Sequence, residues 1–241
     1  MKVYYNDIEP FVCDWLRELM RDGLIAEGDI DSRSITDIDP ADLKGYTRCH
    51  FFAGIGGWEL ALNWAGWPDD AEAWTGSCPC QPFSSAGKRK GADDDRHLWP
   101  AFRALIAERR PPTVFGEQVA SSDGRAWLAS VFADLEDMDY RAAGADLCAA
   151  GVGAPHIRQR LWWVADTERD IVGRRACSGT AGRVGRVGEP VSWDTGWPDA
   201  LAVFRALDDG LPRCVGGTDA ARNAIVPQVA AEFVMAYMEA R

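Results

Sequence analysis

A cysteine in the first half of the chain has neighbours that suit nucleophilic chemistry. Cys80 follows an apolar stretch and lies in the run Pro79-Cys80-Gln81-Pro82-Phe83-Ser84. A thiolate is the soft, polarizable nucleophile that can add to an electron-poor ring carbon. A cysteine in an apolar stretch is more often a small buried side chain, so Cys80 alone is weak evidence. Its meaning depends on the segments that accompany it.

Four other segments accompany the cysteine run. A glycine-rich loop precedes it, and a strand ending in an acid, a basic run and an Asn-containing segment follow it. These segments are Phe51-Phe52-Ala53-Gly54-Ile55-Gly56-Gly57, Phe115-Gly116-Glu117-Gln118-Val119, Pro155-His156-Ile157-Arg158-Gln159-Arg160 and Arg222-Asn223-Ala224-Ile225-Val226-Pro227-Gln228. Together with the cysteine run, and in matching order, they resemble the DNA cytosine-5 methyltransferases over most of the chain except roughly residues 168–217.

The resemblance implies a reaction on a cytosine that is flipped out of a DNA duplex. Cys80 would add to carbon 6 of the base, which activates carbon 5 for methylation. Glu117 would hold N3 and the amino group, and it can donate to N3 only if burial raises its pKa. Arg160, with Arg158 beside it, would hold the base carbonyl oxygen or flanking phosphates. Ordinary solvated charges at strand ends are the alternative for the acid and both arginines.

The methyl donor implied by the resemblance is S-adenosyl-L-methionine, with S-adenosyl-L-homocysteine as the product. Glycines in the loop allow a tight turn and a close approach of the backbone to this cofactor. A glycine loop alone is weak evidence, although the lack of a Gly-Lys-Ser/Thr ending argues against a phosphate-binding P-loop. The expected cofactor-binding residues are Asp7, Ile8, Asp29, Ile30, Phe52, Ala53, Gly54, Ile55, Gly56, Gly57, Pro79, Leu98, Asn223 and Ala224.

The order of the cofactor segments departs from the family pattern. Only 21 residues separate Gly57 from Pro79, which leaves room for one helix and one strand. The segments similar to the family's ribose-binding and adenine-binding acids lie at the N-terminus instead, at Asp7 and Asp29. We therefore predict a local circular permutation in which the family's strands 2 and 3 precede its strands 1 and 4, and residues 34–44 carry the chain back. The alternative is a pair of surface acids and a truncated cofactor site.

Strands and helices alternate along the chain, which predicts an α/β fold with a doubly wound, mostly parallel sheet. The resemblance implies that this sheet is of the Rossmann-like methyltransferase type. Ligands of such sheets lie at the carboxyl ends of strands, where Asp29, the glycine loop, Cys80 and Glu117 are expected. We expect a catalytic and cofactor-binding domain over residues 1–167, with the permuted segment at 1–45. A small target-recognition region would follow at 168–217, and a C-terminal helix would return to the catalytic domain over 218–241.

The charge pattern is consistent with double-stranded DNA as the partner, but it does not require it. The net charge of −11 argues against indiscriminate binding of polyanions, although basic residues can still gather on one face. Basic clusters occur just after the cysteine run and in the glycine-rich stretch after residue 168, and solvated loops are the alternative explanation. The expected DNA-binding residues are Gln81, Ser84, Ser85, Lys88, Arg89 and Lys90.

Composition limits the remaining possibilities. The 241 residues, 47% of them hydrophobic, suit one large domain with a small subdomain. The sequence has no apolar run of about 18 residues and no secretory signal pattern, and its seven irregularly spaced cysteines favour a reducing cytoplasm, bacterial or phage-infected. Neither histidines nor cysteines have the spacing of a metal site. A homodimer, or a restriction enzyme sharing the DNA site, is the expected protein partner. An RNA cytosine methyltransferase and a non-catalytic DNA-binding protein remain alternatives.

Overall fold

One seven-stranded sheet organises the molecule, in the order β2-β1-β3-β4-β5-β7-β6. The computed structural model describes residues 1–79, 98–167 and 224–241. Neighbouring strands from β2 to β5 are parallel, and β7 runs antiparallel to both β5 and β6. The strands are β1 Val3–Asn6, β2 Gly28–Asp31, β3 Arg48–Phe51, β4 Ala73–Gly76, β5 Thr113–Val119, β6 Arg141–Cys148 and β7 Gln159–Asp166. The predicted fold class, α/β with a mostly parallel sheet, is confirmed.

Helices cover both faces of the sheet. On one face α3 and α4 pack on a cluster that includes Trp74, Phe102 and Trp163. On the other face α2 and α5 pack around Trp58, Phe115 and Trp162, and α1 packs near the β1 edge. Burial on both faces explains why β1, β3 and β4 are buried at every position. The helices are α1 Pro10–Arg21, α2 Gly57–Ala65, α3 Trp99–Arg109, α4 Ser122–Glu136 and α5 Pro227–Ala240.

The predicted permutation of strands is confirmed by the sheet order. The first strand of the chain lies between β2 and β3, and β3 in turn pairs with β4. In the numbering used for the prediction, β2, β1, β3 and β4 are strands 3, 2, 1 and 4. They are neighbours in the predicted spatial order, although they follow one another along the chain in a different order. A helix joins β1 to β2 and another joins β3 to β4, as the spacing predicts.

The connection from β2 to β3 passes the intervening β1 without an α-helix. It contains two short 3-10 helices, Ile35–Asp37 and Pro40–Leu43, whose first turns are capped by Ser34 and Asp39. The side chains of Ile35, Ile38 and Leu43 are buried in the same cluster as α3. This apolar anchoring holds the predicted return segment against the sheet.

Several boundaries differ from the prediction. β5 continues through Glu117 to Val119, so the acid lies inside the strand, because β7 pairs with β5 along its whole length. β6 was not predicted, because its small residues Ala142, Ala143, Gly144 and Ala145 give neither an apolar run nor a clear alternation. α4 begins at Ser122, because Ser121 accepts from the Gly124 amide as its N-cap.

Some predicted residues lie outside the described part of the chain. They are Cys80, Gln81, Ser84, Ser85, Lys88, Arg89, Lys90 and Asn223, together with the expected target-recognition region at 168–217. Their assignments stay predictions, as do the domain boundaries. Within the described residues, none of the helices has the length and apolar character needed to cross a membrane.

Gly116 shows how tightly the central strands pack, and it gives a test of the fold. A Cβ atom at this position would lie 2.2 Å from the ring of Trp163, which is fully buried. We expect Gly116→Ala to lower the free energy of unfolding by about 1–3 kcal/mol, measured by urea denaturation, because overpacking forces neighbouring side chains from their rotamers.

Gly151→Ala is the matched control, because a Cβ there has no neighbour within 4 Å among the described residues. It should change the free energy of unfolding by less than about 0.5 kcal/mol. Equal stability of the two variants would contradict the packing of β5 against β7.

Candidate active site

Several of the expected functional residues that the structure describes lie along one edge of the sheet. β1, β3, β4 and β5 are parallel, so the segments that follow their carboxyl ends lie side by side. Asp7 follows β1, the glycine loop follows β3, Ser77–Pro79 follow β4, and Glu117 lies one residue beyond the pairing of β5 with β4.

The glycine loop turns sharply from β3 into α2. Gly54 and Gly56 have φ values of +53° and +82°, which glycine adopts without the strain that a Cβ brings. Gly56 is also the residue before the first turn of α2. Gly57 is required for a different reason, because its Cβ would lie 2.7 Å from Ile225 of the C-terminal segment. The loop therefore needs glycine at Gly54 and Gly56 for their positive φ angles, and at Gly57 for the close approach of Ile225.

Asp7 binds the glycine loop directly. Its Oδ2 accepts a hydrogen bond of 2.9 Å from the Gly54 amide, and its Oδ1 accepts one of 3.0 Å from the Glu9 amide. The carboxylate is half-buried and each of its oxygens keeps a further lone pair for a ligand. Among the described residues, the nearest atom to a Cβ on Gly54 would be the Phe52 carbonyl oxygen at 3.9 Å, so these residues leave space next to Gly54. An acid beside an open glycine loop fits the ribose end of a nucleoside cofactor.

The placement of Asp29 at a strand end was wrong. Asp29 is the second residue of β2, and its carboxylate accepts from the Tyr46 hydroxyl at 2.6 Å and pairs with Lys2 at 3.3 Å. Asp31 instead occupies the carboxyl end, opposite Asn6. Burial by itself raises the pKa of Asp31, but its bonds with Arg33 lower that pKa to about 2. Asp29 and Asp31 are two residues apart in the same strand. Which of the two lies at the carboxyl end of β2 therefore follows only from the pairing of β2 with β1.

The segment after β4 is fixed from two sides. The indole Nε1 of Trp58 in α2 donates to Ser77 Oγ at 3.1 Å, and the Gln118 amide donates to the Cys78 carbonyl at 3.4 Å. Cys78 itself is buried in the core, and that burial raises the pKa of its thiol. A neutral buried thiol is a packing group, whereas the next residue, Pro79, is exposed.

Glu117 forms the main charged pair of the site. Its Oε1 lies 2.7 Å from Nε of Arg160, on the neighbouring strand β7, and both side chains are mostly buried. Burial raises the pKa of Glu117, and the positive charges of Arg160 and Arg158 act in the opposite direction. The carboxyl group therefore has access to its protonated form at a higher pH than an exposed glutamate.

Arg158, the residue immediately before β7, binds the C-terminal segment. Its Nη2 donates to the Ala224 carbonyl at 2.5 Å, and its backbone has φ of +23°, a strained value for a residue with a Cβ. Burial and the adjacent Arg160 lower the pKa of its guanidinium, while Glu117 acts in the opposite direction. Ala224, expected at the cofactor, is thus bound through its carbonyl to Arg158.

The remaining expected cofactor residues flank this edge. Ile8 is 60% exposed just after β1, whereas Ile30 packs on the α1 side of the sheet. Leu98 packs on the core immediately before α3. Phe52 and Ala53 belong to the loop, Ala53 donating its amide to Asn6, and Ile55 is partly exposed. Among the described residues, no group of three or more His, Cys, Asp or Glu side chains is arranged to hold a metal ion.

The sequence analysis missed the contacts that hold these groups in place. The bonds from Trp58 to Ser77 and from Gln118 to Cys78 join residues 19 and 40 positions apart, and no local pattern signals them. Gln118 carried a partial signal, because a polar residue beside Glu117 in an apolar strand needs a buried partner.

Known proteins match parts of this chain. The family described as C-5 cytosine-specific DNA methylase matches residues 66–173. The type II methyltransferase M.AplI of Arthrospira platensis is 37% identical over 92 residues, 37% of this chain and 27% of that protein. M.HhaI of Haemophilus parahaemolyticus is 28% identical over 167 residues, 53% of this chain and 51% of its own length.

Among solved structures, the Entamoeba histolytica methyltransferase EhMeth is 13% identical with a TM-score of 0.48, over 75% of this chain and 57% of that one. The matched part of the chain thus spans between about a quarter and a half of the curated relatives' length.

The Glu117–Arg160 pair gives a test of the site's electrostatics. We expect Arg160→Gln to raise the pKa of Glu117, because the variant removes the cation that stabilises the carboxylate while the burial remains. The titration is followed by NMR of protein labelled at glutamate side-chain carboxyl carbons, with Glu117→Gln to assign the signal.

Arg125→Gln removes an exposed arginine that pairs with Asp146, and it is the matched control. It should leave the titration of Glu117 unchanged. A pKa that stays constant or falls in Arg160→Gln would contradict the pairing.

Proposed function

We propose that this chain transfers a methyl group from S-adenosyl-L-methionine to carbon 5 of cytosine in double-stranded DNA, a proposal supported by the match of residues 66–173 to the C-5 cytosine-specific DNA methylase family. The observation that carries the proposal is the mostly buried Glu117–Arg160 pair. Glu117 lies in β5, next to the strand β4 that leads to the cysteine run, and Arg160 lies in the neighbouring β7. An acid with a raised pKa and a guanidinium with several N–H donors suit the polar edge of a cytosine ring.

In the proposed reaction the cytosine leaves the base stack and enters the site at the carboxyl edge of the sheet. The thiolate of Cys80 forms a bond to carbon 6, and the ring electrons move toward carbon 5. Protonated Glu117 donates to N3 and accepts from the amino group, which lets the ring take up this electron density. Arg160 donates to the base carbonyl oxygen.

The second half of the reaction restores the aromatic ring. When bound, S-adenosyl-L-methionine supplies the methyl group that carbon 5 takes up, and S-adenosyl-L-homocysteine is the product. A base then removes the proton from carbon 5, the carbon–sulfur bond breaks, and Cys80 leaves as a thiolate. The products are 5-methylcytosine and the free enzyme, so the cysteine is not consumed.

The cofactor would lie between the N-terminal segment and the glycine loop. Asp7 faces the loop and is the acid for the ribose hydroxyls, and Ile8 offers an exposed apolar surface for the adenine. Asp29 and Ile30 remain the proposed adenine segment, although Asp31 lies nearer to this edge. Gly54 to Gly57, Pro79, Leu98, Asn223 and Ala224 complete the proposed set.

The DNA contacts are proposed from the sequence. Lys88, Arg89 and Lys90 would pair with phosphates, and Gln81, Ser84 and Ser85 would lie near the flipped base. Residues 168–217 would recognise the target sequence, which is short if this region acts alone. The biological role would be DNA modification that protects against a restriction enzyme acting at the same site. We also propose that the protein forms a homodimer.

The first experiment measures transfer of labelled methyl groups to unmethylated DNA by the wild type, Cys80→Ala and Cys78→Ala. We expect label at carbon 5 of cytosine with the wild type, a loss of at least about 1,000-fold in Cys80→Ala, and near-normal rates in Cys78→Ala. The nucleophile is lost only in the first variant, whereas Cys78 serves packing.

Equal loss in both cysteine variants would contradict the assignment of the nucleophile. Methyl transfer to RNA in preference to DNA in a competition assay would contradict DNA as the substrate and favour an RNA cytosine methyltransferase. The 2′-hydroxyl is the group by which a protein distinguishes RNA from DNA. Absence of cofactor binding by calorimetry would favour a non-catalytic DNA-binding protein.

Asp7 gives a separate test of the cofactor site. We expect Asp7→Asn to weaken binding of S-adenosyl-L-homocysteine by about 10- to 100-fold in calorimetry, because a hydrogen bond to a charged group contributes about 1.5–3 kcal/mol. Asp14→Asn is the control, because Asp14 is an exposed acid of the adjacent α1. Unchanged affinity in Asp7→Asn would contradict the position of the ribose.

A further inference from the structure

A buried polar network lies beneath the glycine loop, apart from the groups that would contact substrate. Arg48 and His50 of β3, Glu59 of α2 and Thr75 of β4 are all at most 1% exposed. Arg48 Nη1 donates to Glu59 Oε1 at 2.9 Å and to Asn63 Oδ1 at 2.7 Å. Polar groups this deeply buried destabilise a protein unless their partners are in place, so the network fixes the elements that carry it.

His50 is the centre of this network. Its Nε2 lies 3.0 Å from Glu59 Oε2, its Nδ1 lies 2.8 Å from Thr75 Oγ1, and its ring stacks on Tyr5 at 5.2 Å. Burial by itself raises the pKa of Glu59, but its bonds with His50 and Arg48 hold that pKa below its ordinary value. A carboxylate only accepts, so Nε2 donates to Glu59, and in the neutral ring Nδ1 accepts from the Thr75 hydroxyl.

The two partners of His50 belong to the elements that carry the site. Glu59 is in the first turn of α2, two residues after Gly57, and Thr75 lies in β4, two residues before Ser77. His50 and Thr75 are also direct neighbours in the parallel register of β3 and β4. The imidazole therefore bridges the end of the glycine loop and the strand that leads to the cysteine run.

We propose that His50 is a positioning residue for the cofactor loop, because it holds the start of α2, through Glu59, in register with β4, through Thr75. The proposal rests on the proposed function, since it assigns the Gly54–Gly57 loop to the cofactor. A helix start that is displaced from the strands moves the amides of that loop, and cofactor affinity falls. A merely structural network would affect stability alone.

Thr75 offers the sharpest test, because replacing Glu59 or Arg48 leaves a buried unpaired charge and risks loss of folding. Thr75→Val keeps the shape of the side chain and removes the hydroxyl. Thr75→Ser keeps the hydroxyl and removes the methyl group. The pair separates the hydrogen bond to His50 from the packing of Thr75.

The measurements are calorimetric binding of S-adenosyl-L-homocysteine, well below each variant's melting temperature, and the steady-state kinetics of methyl transfer. We expect Thr75→Val to weaken binding about tenfold and to raise the KM for S-adenosyl-L-methionine about tenfold, with kcat within about twofold of the wild type. Thr75→Ser should bind within about twofold of the wild type.

Two results would overturn the positioning role: normal affinity in Thr75→Val, whether or not its melting temperature falls, or equal weakening in both variants. The binding arm does not depend on catalysis. If the wild type binds the cofactor product but methylates no cytosine, only the proposed reaction fails. If the wild type does not bind it, both proposals fail.

Discussion

The parallel pairing of β1 with β3 is the interaction on which the arrangement of the site depends. The register places Tyr5 opposite His50 and Asn6 opposite Phe51, so the residues that leave the two strands emerge next to each other. The bond from the Gly54 amide to Asp7 follows from that register. A slip of one residue would turn the inward side chains of β1 to the other face. The site is therefore defined by neighbours in space, and the chain can reach them in a permuted order.

The buried network adds specificity to this register. Contacts between apolar side chains are not directional, so a small shift between two strands can replace one methyl contact with another. A histidine that must meet both a carboxylate and a hydroxyl has far fewer satisfied arrangements, and any other placement leaves buried groups unpaired. The row Tyr5, His50 and Thr75 crosses β1, β3 and β4 at one level. We infer that this row selects the alignment of the three strands whose ends form the proposed cofactor site.

Local patterns predicted much of this fold, and the failures have identifiable physical causes. The helix and the strand between the glycine loop and Pro79 were evident, because the 21 residues between Gly57 and Pro79 leave room for one of each. β6 lacks a local signal, since its small residues suit close packing against Trp163 and Phe132. Asp29 was misplaced because Asp31 has the same spacing and type, and only pairing with β1 distinguishes them. Contacts between distant residues, such as His50 with Thr75, depend on the assembled sheet.

The Glu117–Arg160 pair explains how one acid can serve two demands in the proposed reaction. A fully ionised glutamate would only accept hydrogen bonds and could not donate to N3, whereas a neutral one without a partner would hold its orientation poorly. Burial raises the pKa of Glu117 and the two arginines oppose that rise, so the carboxyl group takes up a proton at a higher pH than an exposed glutamate. Arg160 uses Nε for Glu117, and its planar fork leaves further N–H donors for the base carbonyl oxygen in the proposed reaction. In that reaction the guanidinium would both orient the acid and bind the base to whose N3 the acid donates.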